Sequence, residues 1–114
     1  MRKEEQKKVN EIVLDAIDVY NGYVADRYSI NREFPNSEKL RNCSAVVYDY
    51  DRYYALRSYN TIIAIIDKET DTLYDFLRYV YGYTATSAQH ISKFEKDYCG
   101  GKWNCEHRYT YRPI

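Results

Sequence analysis

Residues 61–66 constrain the fold of this chain more than any other segment, because they read TIIAII and are apolar on both faces of a strand. Side chains along a β-strand point alternately to the two sides of a sheet, so a strand of this composition is covered on both sides. We therefore predict a central strand here. Its wholly apolar part, residues 62–66, is far shorter than the roughly 20 residues that cross a bilayer, so no membrane partner is expected.

The first helix is predicted from apolar residues at helical spacing, and we assign it to residues 1–26. Asn21 and Gly22 offer a stop within it, since both tolerate left-handed backbone angles. The stripe expected to face the sheet consists of Val9, Ile12, Val13, Ala16, Ile17, Tyr20 and Val24.

A second helix is predicted over residues 86–98. Thr86 followed by Gln89 has the spacing of a capping box, in which the hydroxyl and the amide satisfy backbone groups of the first turn. Ile91, Phe94 and Tyr98 would form its buried stripe.

The remaining segments favour strands. Residues 45–48 are β-branched and aromatic, which suits a pleated surface. We predict one long bent strand over residues 52–66, because the pair Tyr59-Asn60 lacks the glycine of a tight hairpin. Residues 72–81 are read as a strand following a turn, although their apolar residues also fit a helix, and residues 26–42 are read as a connection.

Together these elements predict an α+β fold in a single domain, residues 1–114. An N-terminal helix and a second helix would pack on a mainly antiparallel sheet of about four to five strands, with sheet and second helix within residues 43–114. A chain of this length can bury one ordinary core. The predicted core residues are Val9, Ile12, Val13, Ile17, Val46, Leu56, Ile63, Ile65, Ile91 and Phe94.

Two segments resemble a module of small proteins from phages and mobile elements of Gram-positive bacteria. Residues 58–67 fit the pattern S-Y-x-T-x-x-A-x-x-D, and residues 83–94 fit Y-[ST]-x-T-[ST]-x-x-H-x-x-x-F. The chain departs from the pattern by a longer, tyrosine-rich insert over residues 77–82. The resemblance implies a phage protein that binds a host protein, as anti-defence proteins such as CRISPR inhibitors do.

Catalytic chemistry has little support. Ser87 and His90 lie three positions apart on the second predicted helix, so they could touch, but no nucleophile elbow or oxyanion glycine precedes them. The many aspartates and glutamates fall mostly at predicted turns, where they are expected for turn chemistry. We therefore expect a protein that is not an enzyme and has no cofactor.

The three cysteines raise the question of a metal site. A zinc site could use Cys99, Cys105 and His107, with Cys43 or His90 as the fourth ligand, but the close cysteine pair typical of structural zinc is missing. Residues 1–8 are charged and no signal peptide follows them, which favours the bacterial cytoplasm. In that reducing compartment free thiols and no bound metal are expected.

Tyrosine is the unusual residue: the chain has 15, and several adjoin arginines. Both residue types are enriched in protein interfaces, and tyrosine rings also stack on unpaired bases. With 17 basic and 17 acidic residues the formal charge is zero, which argues against a wholesale nucleic-acid binder and against a DNA mimic. The predicted partner-binding residues are Arg52, Tyr53, Arg57, Tyr59, Arg78, Tyr79, Arg108, Tyr109, Tyr111 and Arg112.

These observations favour a binding protein that inhibits or modulates a host protein machine, for example a nucleic-acid-processing CRISPR effector. An acidic hairpin tip of Asp67, Glu69 and Asp71 could mimic phosphates locally. The alternative is a single-stranded nucleic-acid-binding protein that stacks bases on tyrosines and holds phosphates with arginines. A homodimer is a further candidate, because an exposed aromatic face also serves self-association.

Overall fold

Helices cover both faces of one six-stranded sheet in the computed structural model, which describes residues 2–31, 36–40, 45–82, 84–99 and 105–114. The elements are α1 (Lys3–Asn31), β1 (Asn36–Leu40), β2 (Ala45–Asp49), β3 (Tyr53–Ser58), β4 (Thr61–Asp67), β5 (Thr72–Asp75), α2 (Leu77–Val80), α3 (Ala85–Tyr98) and β6 (His107–Thr110). The α+β class is confirmed.

The strands neighbour each other in chain order, and every pair is antiparallel except the last. β6 runs parallel to β5, with Thr72 beside His107 and Asp75 beside Thr110. Parallel neighbours need a long crossover connection, and α2 and α3 supply it. The sheet exceeds the predicted four to five strands for two reasons. β1 forms within residues 26–42, which were predicted to be a connection, and residues 52–66 contain two strands instead of one.

The central position predicted for residues 61–66 is confirmed, since β4 lies between β3 and β5 and buries side chains on both faces. Leu56 pairs with Ala64 while Arg57 pairs with Ile62, so Ile63 is an extra residue in β4. This bulge lets Ile63 and Ala64 both contribute to the core on the α3 side.

The core is divided by the sheet into two clusters. The α3-side core contains Ala45, Val47, Leu56, Ile63, Ala64, Ile66, Leu73, Leu77, Ile91, Phe94, Cys99 and Cys105. The α1-side core contains Val13, Tyr20, Tyr50, Tyr53, Ala55, Ile65 and Phe76. Most predicted core residues are buried, but Ile12 is 40% exposed, because the buried stripe of α1 is centred on Val13 and Tyr20.

α1 is longer than the predicted helix and ends at Asn31. Gly22 does not stop it, since a glycine inside a helix costs only about 1 kcal/mol and neighbouring turns can offset that. None of the helices in the described residues combines the length and the apolar character of a bilayer-crossing segment.

The prediction of one bent strand over residues 52–66 is wrong. β3 and β4 form a hairpin with the two-residue turn Tyr59-Asn60, and Tyr59 takes a positive φ of 55°. A tyrosine occupies the left-handed backbone region that usually favours glycine, so the turn carries no glycine signal.

Residues 72–81 are neither all strand nor all helix. β5 ends at Asp75, whose Oδ1 accepts a hydrogen bond of 3.1 Å from the Leu77 backbone N–H and so starts α2. α3 agrees with the prediction of a second helix, but its cap is Thr84 rather than Thr86. The Thr84 hydroxyl accepts a 3.1 Å hydrogen bond from the Ser87 backbone N–H.

Candidate binding surface

A groove of about 380 Å³ lies where β5, α2, α3 and the C-terminal residues meet, and three arginines line it. Guanidinium groups bind carboxylates and phosphates through paired N–H donors, so a groove of this composition suits an anionic ligand group. We call it the arginine groove, and its lining residues are Asp75, Leu77, Arg78, Ala88, Ser92, Arg108, Thr110 and Arg112.

Arg108 forms the floor of the groove and is already paired. Its Nη1 donates to Glu95 Oε1 at 2.5 Å and its Nη2 to Asp75 Oδ2 at 3.4 Å. Both carboxylates are largely buried, whereas the Arg108 side chain is partly exposed. Glu95 Oε2 also accepts a hydrogen bond from the Cys105 backbone N–H. Arg108 therefore neutralises acids inside the fold and adds little net positive charge to the groove.

Arg78 and Arg112 stand exposed at the rim of the groove. Arg112 is positioned through its backbone, because its N–H donates to Asn10 Oδ1 at 3.0 Å and its carbonyl accepts from Asn10 Nδ2 at 2.8 Å. Gln6 extends this contact by donating to the Thr110 carbonyl at 3.0 Å. Within the described part of the chain the Arg112 guanidinium has no ion-pair partner, so its charge faces outward.

Burial of Asp75 beside the groove disfavours the charged form of its carboxyl. Loss of water contact raises the pKa of the Asp75 carboxyl, although the hydrogen bond from the Leu77 N–H and the charge of Arg108 act in the opposite direction. The carboxyl is thus easier to protonate in the folded chain than in the unfolded chain, whose reference pKa is 3.8.

We predict that Asp75→Asn changes the pH dependence of folding. A raised folded-state pKa contributes stability that is fully present below about pH 4 and is lost as the pH rises through the folded-state value. The free energy of unfolding of the wild-type protein should therefore fall relative to that of the variant between about pH 4 and about pH 7. Urea unfolding of both proteins at the two pH values measures this; parallel pH profiles would contradict it.

Aromatic residues neighbour the arginines of the groove in the chain, although none of them lines the groove and Tyr111 packs against the α1-side core. Tyr79 is 53% exposed, and its ring lies 5.1 Å from that of Tyr111 in an edge-to-face contact. Val80 and Tyr81 follow Tyr79 and are also exposed. We call Tyr79, Val80, Tyr81 and Tyr111 the aromatic rim. Apolar area beside exposed positive charge is the composition of an interface rather than of an ordinary solvated helix end.

Three of the predicted binding residues, Arg78, Arg108 and Arg112, thus line one groove. Two more, Tyr79 and Tyr111, contact each other and adjoin Arg78 and Arg112 in the chain. The fold brings them together because β6 pairs with the strand that leads into α2. The sequence alone could not show this, since parallel pairing across a crossover leaves no local pattern.

Arg52 and Tyr53 lie elsewhere, at the start of β3. Arg52 Nη2 pairs with Asp67 Oδ2 at 3.0 Å, and its Nε lies 3.6 Å from Glu69 Oε2. The Tyr53 ring is only 3% exposed, and desolvation raises the pKa of its hydroxyl. The prediction that Tyr53 contacts a partner is therefore wrong for this fold.

The other three predicted residues are also separate from the groove. Arg57 lies over the Tyr48 ring at 5.6 Å, and Tyr59 is exposed at the turn between β3 and β4. Tyr109 stacks on Tyr74 at 5.9 Å and packs against the α1-side core. None of these three lines the arginine groove.

Many tyrosines serve the core instead. The rings of Tyr20 and Tyr23 contact those of Tyr50 and Tyr53 edge to face, at centroid distances of 5.5 to 6.3 Å. Such pairs add to the packing between α1 and the sheet. The Tyr23 hydroxyl also accepts a hydrogen bond from the Arg52 backbone N–H at 3.2 Å. The tyrosine excess therefore has a structural part as well as an exposed part.

The two segments of the phage-like pattern meet in one buried polar cluster. Ser58 Oγ lies 3.0 Å from Ser87 Oγ and 2.8 Å from His90 Nδ1. All three side chains are buried, so no substrate reaches them in this conformation. The spacing of Ser87 and His90 in the sequence does not reveal Ser58 as their partner, although Ser58 belongs to the first segment of the same pattern. The cluster joins the β3–β4 hairpin to α3.

The acidic hairpin tip is less exposed than the sequence indicates. Asp67 is buried and paired with Arg52, whereas Asp71 is half-buried and its Oδ2 accepts from the Glu106 backbone N–H at 3.1 Å. Only Glu69 is largely exposed. A row of free carboxylates that could replace phosphates is therefore not present at this tip.

The expectation of free thiols is wrong for two of the cysteines, because Cys99 and Cys105 form a disulfide with a Cα separation of 5.1 Å. Cys43 lies outside the described residues. The sequence-based zinc set is dispersed: His107 is exposed on β6, and His90 lies nine residues before Cys99 on α3, about 13 Å away along the helix.

Sequence reasoning missed the carboxylates that organise the groove. Glu95 follows Phe94 and lies four positions after Ile91, on the buried stripe of α3, and a carboxylate there needs a buried cation. That position was an available signal for the pairing with Arg108. Asp75 gave no comparable signal, because an aspartate beside a turn is common.

No protein-family model, curated protein or solved structure matches this chain.

Proposed function

We propose that this chain is a non-enzymatic binding protein that docks an acidic segment of a partner protein in the arginine groove and covers it with the aromatic rim. The observation that carries the proposal is the exposure of Arg78 and Arg112 at one groove, with the exposed Tyr79 next to Arg78 in the chain. A carboxylate of the partner would pair with Arg112, while Tyr79 supplies apolar contact area.

The charge distribution supports an acidic partner rather than a basic one. Arg108 pairs with two buried acids, Asp75 and Glu95, so the positive charge that faces a partner at this surface is that of Arg112. The chain as a whole is neutral, and attraction is therefore local to this surface. Tyrosine and arginine are also the residues in which interface hot spots are enriched.

The phage-like pattern supplies the biological setting of the proposal. A small phage protein that occupies an acidic surface of a host machine in the bacterial cytoplasm would inhibit or modulate it by occlusion. A nucleic-acid-processing effector, such as a CRISPR-Cas complex, is the host partner proposed.

A second candidate function uses the same surface. Exposed tyrosine and arginine side chains also suit an unpaired base and its neighbouring phosphates, and such stacking contributes about 1–3 kcal/mol per base. Single-stranded nucleic acid would then be the ligand, and its affinity would fall steeply with salt.

We predict that the double variant Tyr79→Ala/Arg112→Ala weakens partner binding by about a hundredfold, because each hot-spot truncation costs on the order of 1–2 kcal/mol. Affinity capture from a bacterial lysate, scored for proteins and nucleic acids, identifies the ligand, and titration of that ligand measures the loss. Tyr59→Ala is the matched control, since Tyr59 is also exposed but lies outside the groove.

Equal binding by the double variant and the wild-type protein would contradict the proposal. Tight binding of a labelled single strand at low salt, with no captured protein, would instead establish the second candidate. Sedimentation of the purified protein shows whether a second copy of the chain occupies the surface.

A further inference from the structure

Three potential metal ligands from distant parts of the chain meet beside the β4–β5 turn. The Sγ atoms of Cys99 and Cys105 and a carboxylate oxygen of Asp71 all lie within 4.8 Å of one another. Cys99 follows the end of α3, Cys105 precedes β6, and Asp71 precedes β5. Two sulfurs and one carboxylate are a donor set that suits a borderline-soft divalent cation such as Zn²⁺.

Backbone hydrogen bonds hold this arrangement independently of the disulfide. The Cys105 N–H donates to Glu95 Oε2 at 3.1 Å, and the Glu106 N–H donates to Asp71 Oδ2 at 3.1 Å. The His107 N–H donates to the Asp71 carbonyl at 3.1 Å. These bonds position Cys105 and Asp71 without using the bond between the two sulfurs.

The cluster borders a separate groove of about 450 Å³, which Asp71, Cys99 and Glu106 help to line, although both cysteines are buried. A cation can enter there, and a water molecule has room to complete a tetrahedron. Zinc–sulfur bonds of about 2.3 Å and zinc–oxygen bonds of about 2.0 Å place tetrahedral ligands roughly 3.5–3.8 Å apart. The three ligand atoms already lie within 4.8 Å of one another. Tetrahedral spacing around zinc therefore requires only that the two sulfurs move apart once the disulfide is reduced.

We propose that the reduced chain binds one Zn²⁺ through Cys99, Cys105 and Asp71, and that the disulfide form does not. A dithiol reductant transfers two electrons and two protons to the disulfide, giving two thiols and an oxidised reductant. Zn²⁺ then displaces the two thiol protons and neutralises two thiolates beside a carboxylate. The cytoplasmic location expected from the sequence is a compartment in which thiols are kept reduced.

Zinc titration calorimetry of the full-length protein tests this, with and without a phosphine reductant. The expected result is one Zn²⁺ bound per reduced chain and none per oxidised chain. With Co²⁺ as the probe, the reduced chain should show thiolate-to-metal charge-transfer absorption. Asp71→Asn should weaken zinc binding at least about tenfold, while Glu69→Gln, in the same hairpin but outside the cluster, should leave it unchanged.

The cysteine outside the described residues is handled by repeating the titration on Cys43→Ser. Unchanged zinc affinity in that variant supports the proposal, whereas loss of binding would overturn it. Absence of zinc binding by the reduced wild-type chain, or equal affinity of Asp71→Asn and wild type, would also overturn it. None of these outcomes depends on the partner-binding surface, which lies at the other end of β5.

Discussion

Phe94→Ala is expected to lower the free energy of unfolding by about 4 kcal/mol, the largest effect of any single substitution considered. Phe94 is completely buried between α3 and the sheet, in one cluster with Leu56 and Ile91, and its ring contacts Tyr98 at 5.7 Å. Truncation removes the transfer free energy of the ring and leaves a cavity that close-packed neighbours only partly fill. For a domain of this size the midpoint of thermal unfolding should fall by about 15 °C or more.

Tyr79→Ala is the matched control, because it also truncates an aromatic ring, but one that is mostly exposed. Its effect on stability should stay within about 0.5 kcal/mol. Calorimetry and urea unfolding of both variants measure the difference. Equal losses would mean that the α3-side core is not the main source of stability, and a folded Tyr79→Ala variant is also what the binding experiment requires.

Arg108→Met is expected to lower the free energy of unfolding by about 2–3 kcal/mol at neutral pH. The guanidinium is the cation that faces the carboxylates of Glu95 and Asp75, and methionine keeps the apolar stem but removes the charge. Removing one partner of a buried ion pair costs about 3–5 kcal/mol. Because the Arg108 side chain is partly exposed, the expected loss lies at or below the lower end of that range.

Two further variants separate lost charge pairing from lost packing. Adding Glu95→Gln to Arg108→Met should recover about 1 kcal/mol, because the amide still accepts from the Cys105 N–H while the unpaired charge is gone. Arg112→Met, the same substitution at the rim, should change stability by less than about 0.5 kcal/mol. A deficit that Glu95→Gln does not reduce would show that the carboxylate is not stranded by loss of Arg108.

Sequence reasoning succeeded where local pattern decides structure. The run at β4 and the apolar stripe of α3 each contain enough information to predict the element and its buried residues. It failed where a distant contact decides. Tyr59 adopts a glycine-like backbone because the register of β3 against β4 requires a two-residue turn, and no propensity rule for tyrosine predicts that.

The candidate site was predictable in composition but not in extent. Interleaved arginine and tyrosine indicate a binding surface. However, Tyr53 and Arg78 each belong to an arginine–tyrosine pair, and the sequence does not show which pair is exposed. The two side chains differ in burial because α1 covers the face of the sheet that carries Tyr53, whereas α2 leaves Arg78 exposed. The disulfide was missed for a similar reason, since only the parallel pairing of β6 with β5 brings Cys105 back to the end of α3.

The hydrogen bonds between Asn10 and Arg112 join residues that are 102 positions apart. During synthesis α1 leaves the ribosome long before Arg112 does. The Asn10 side chain therefore forms these bonds only after the later segment has been made. Two of the three groove arginines, Arg108 and Arg112, belong to that same later segment. The groove is therefore completed by residues that follow α3 in the chain.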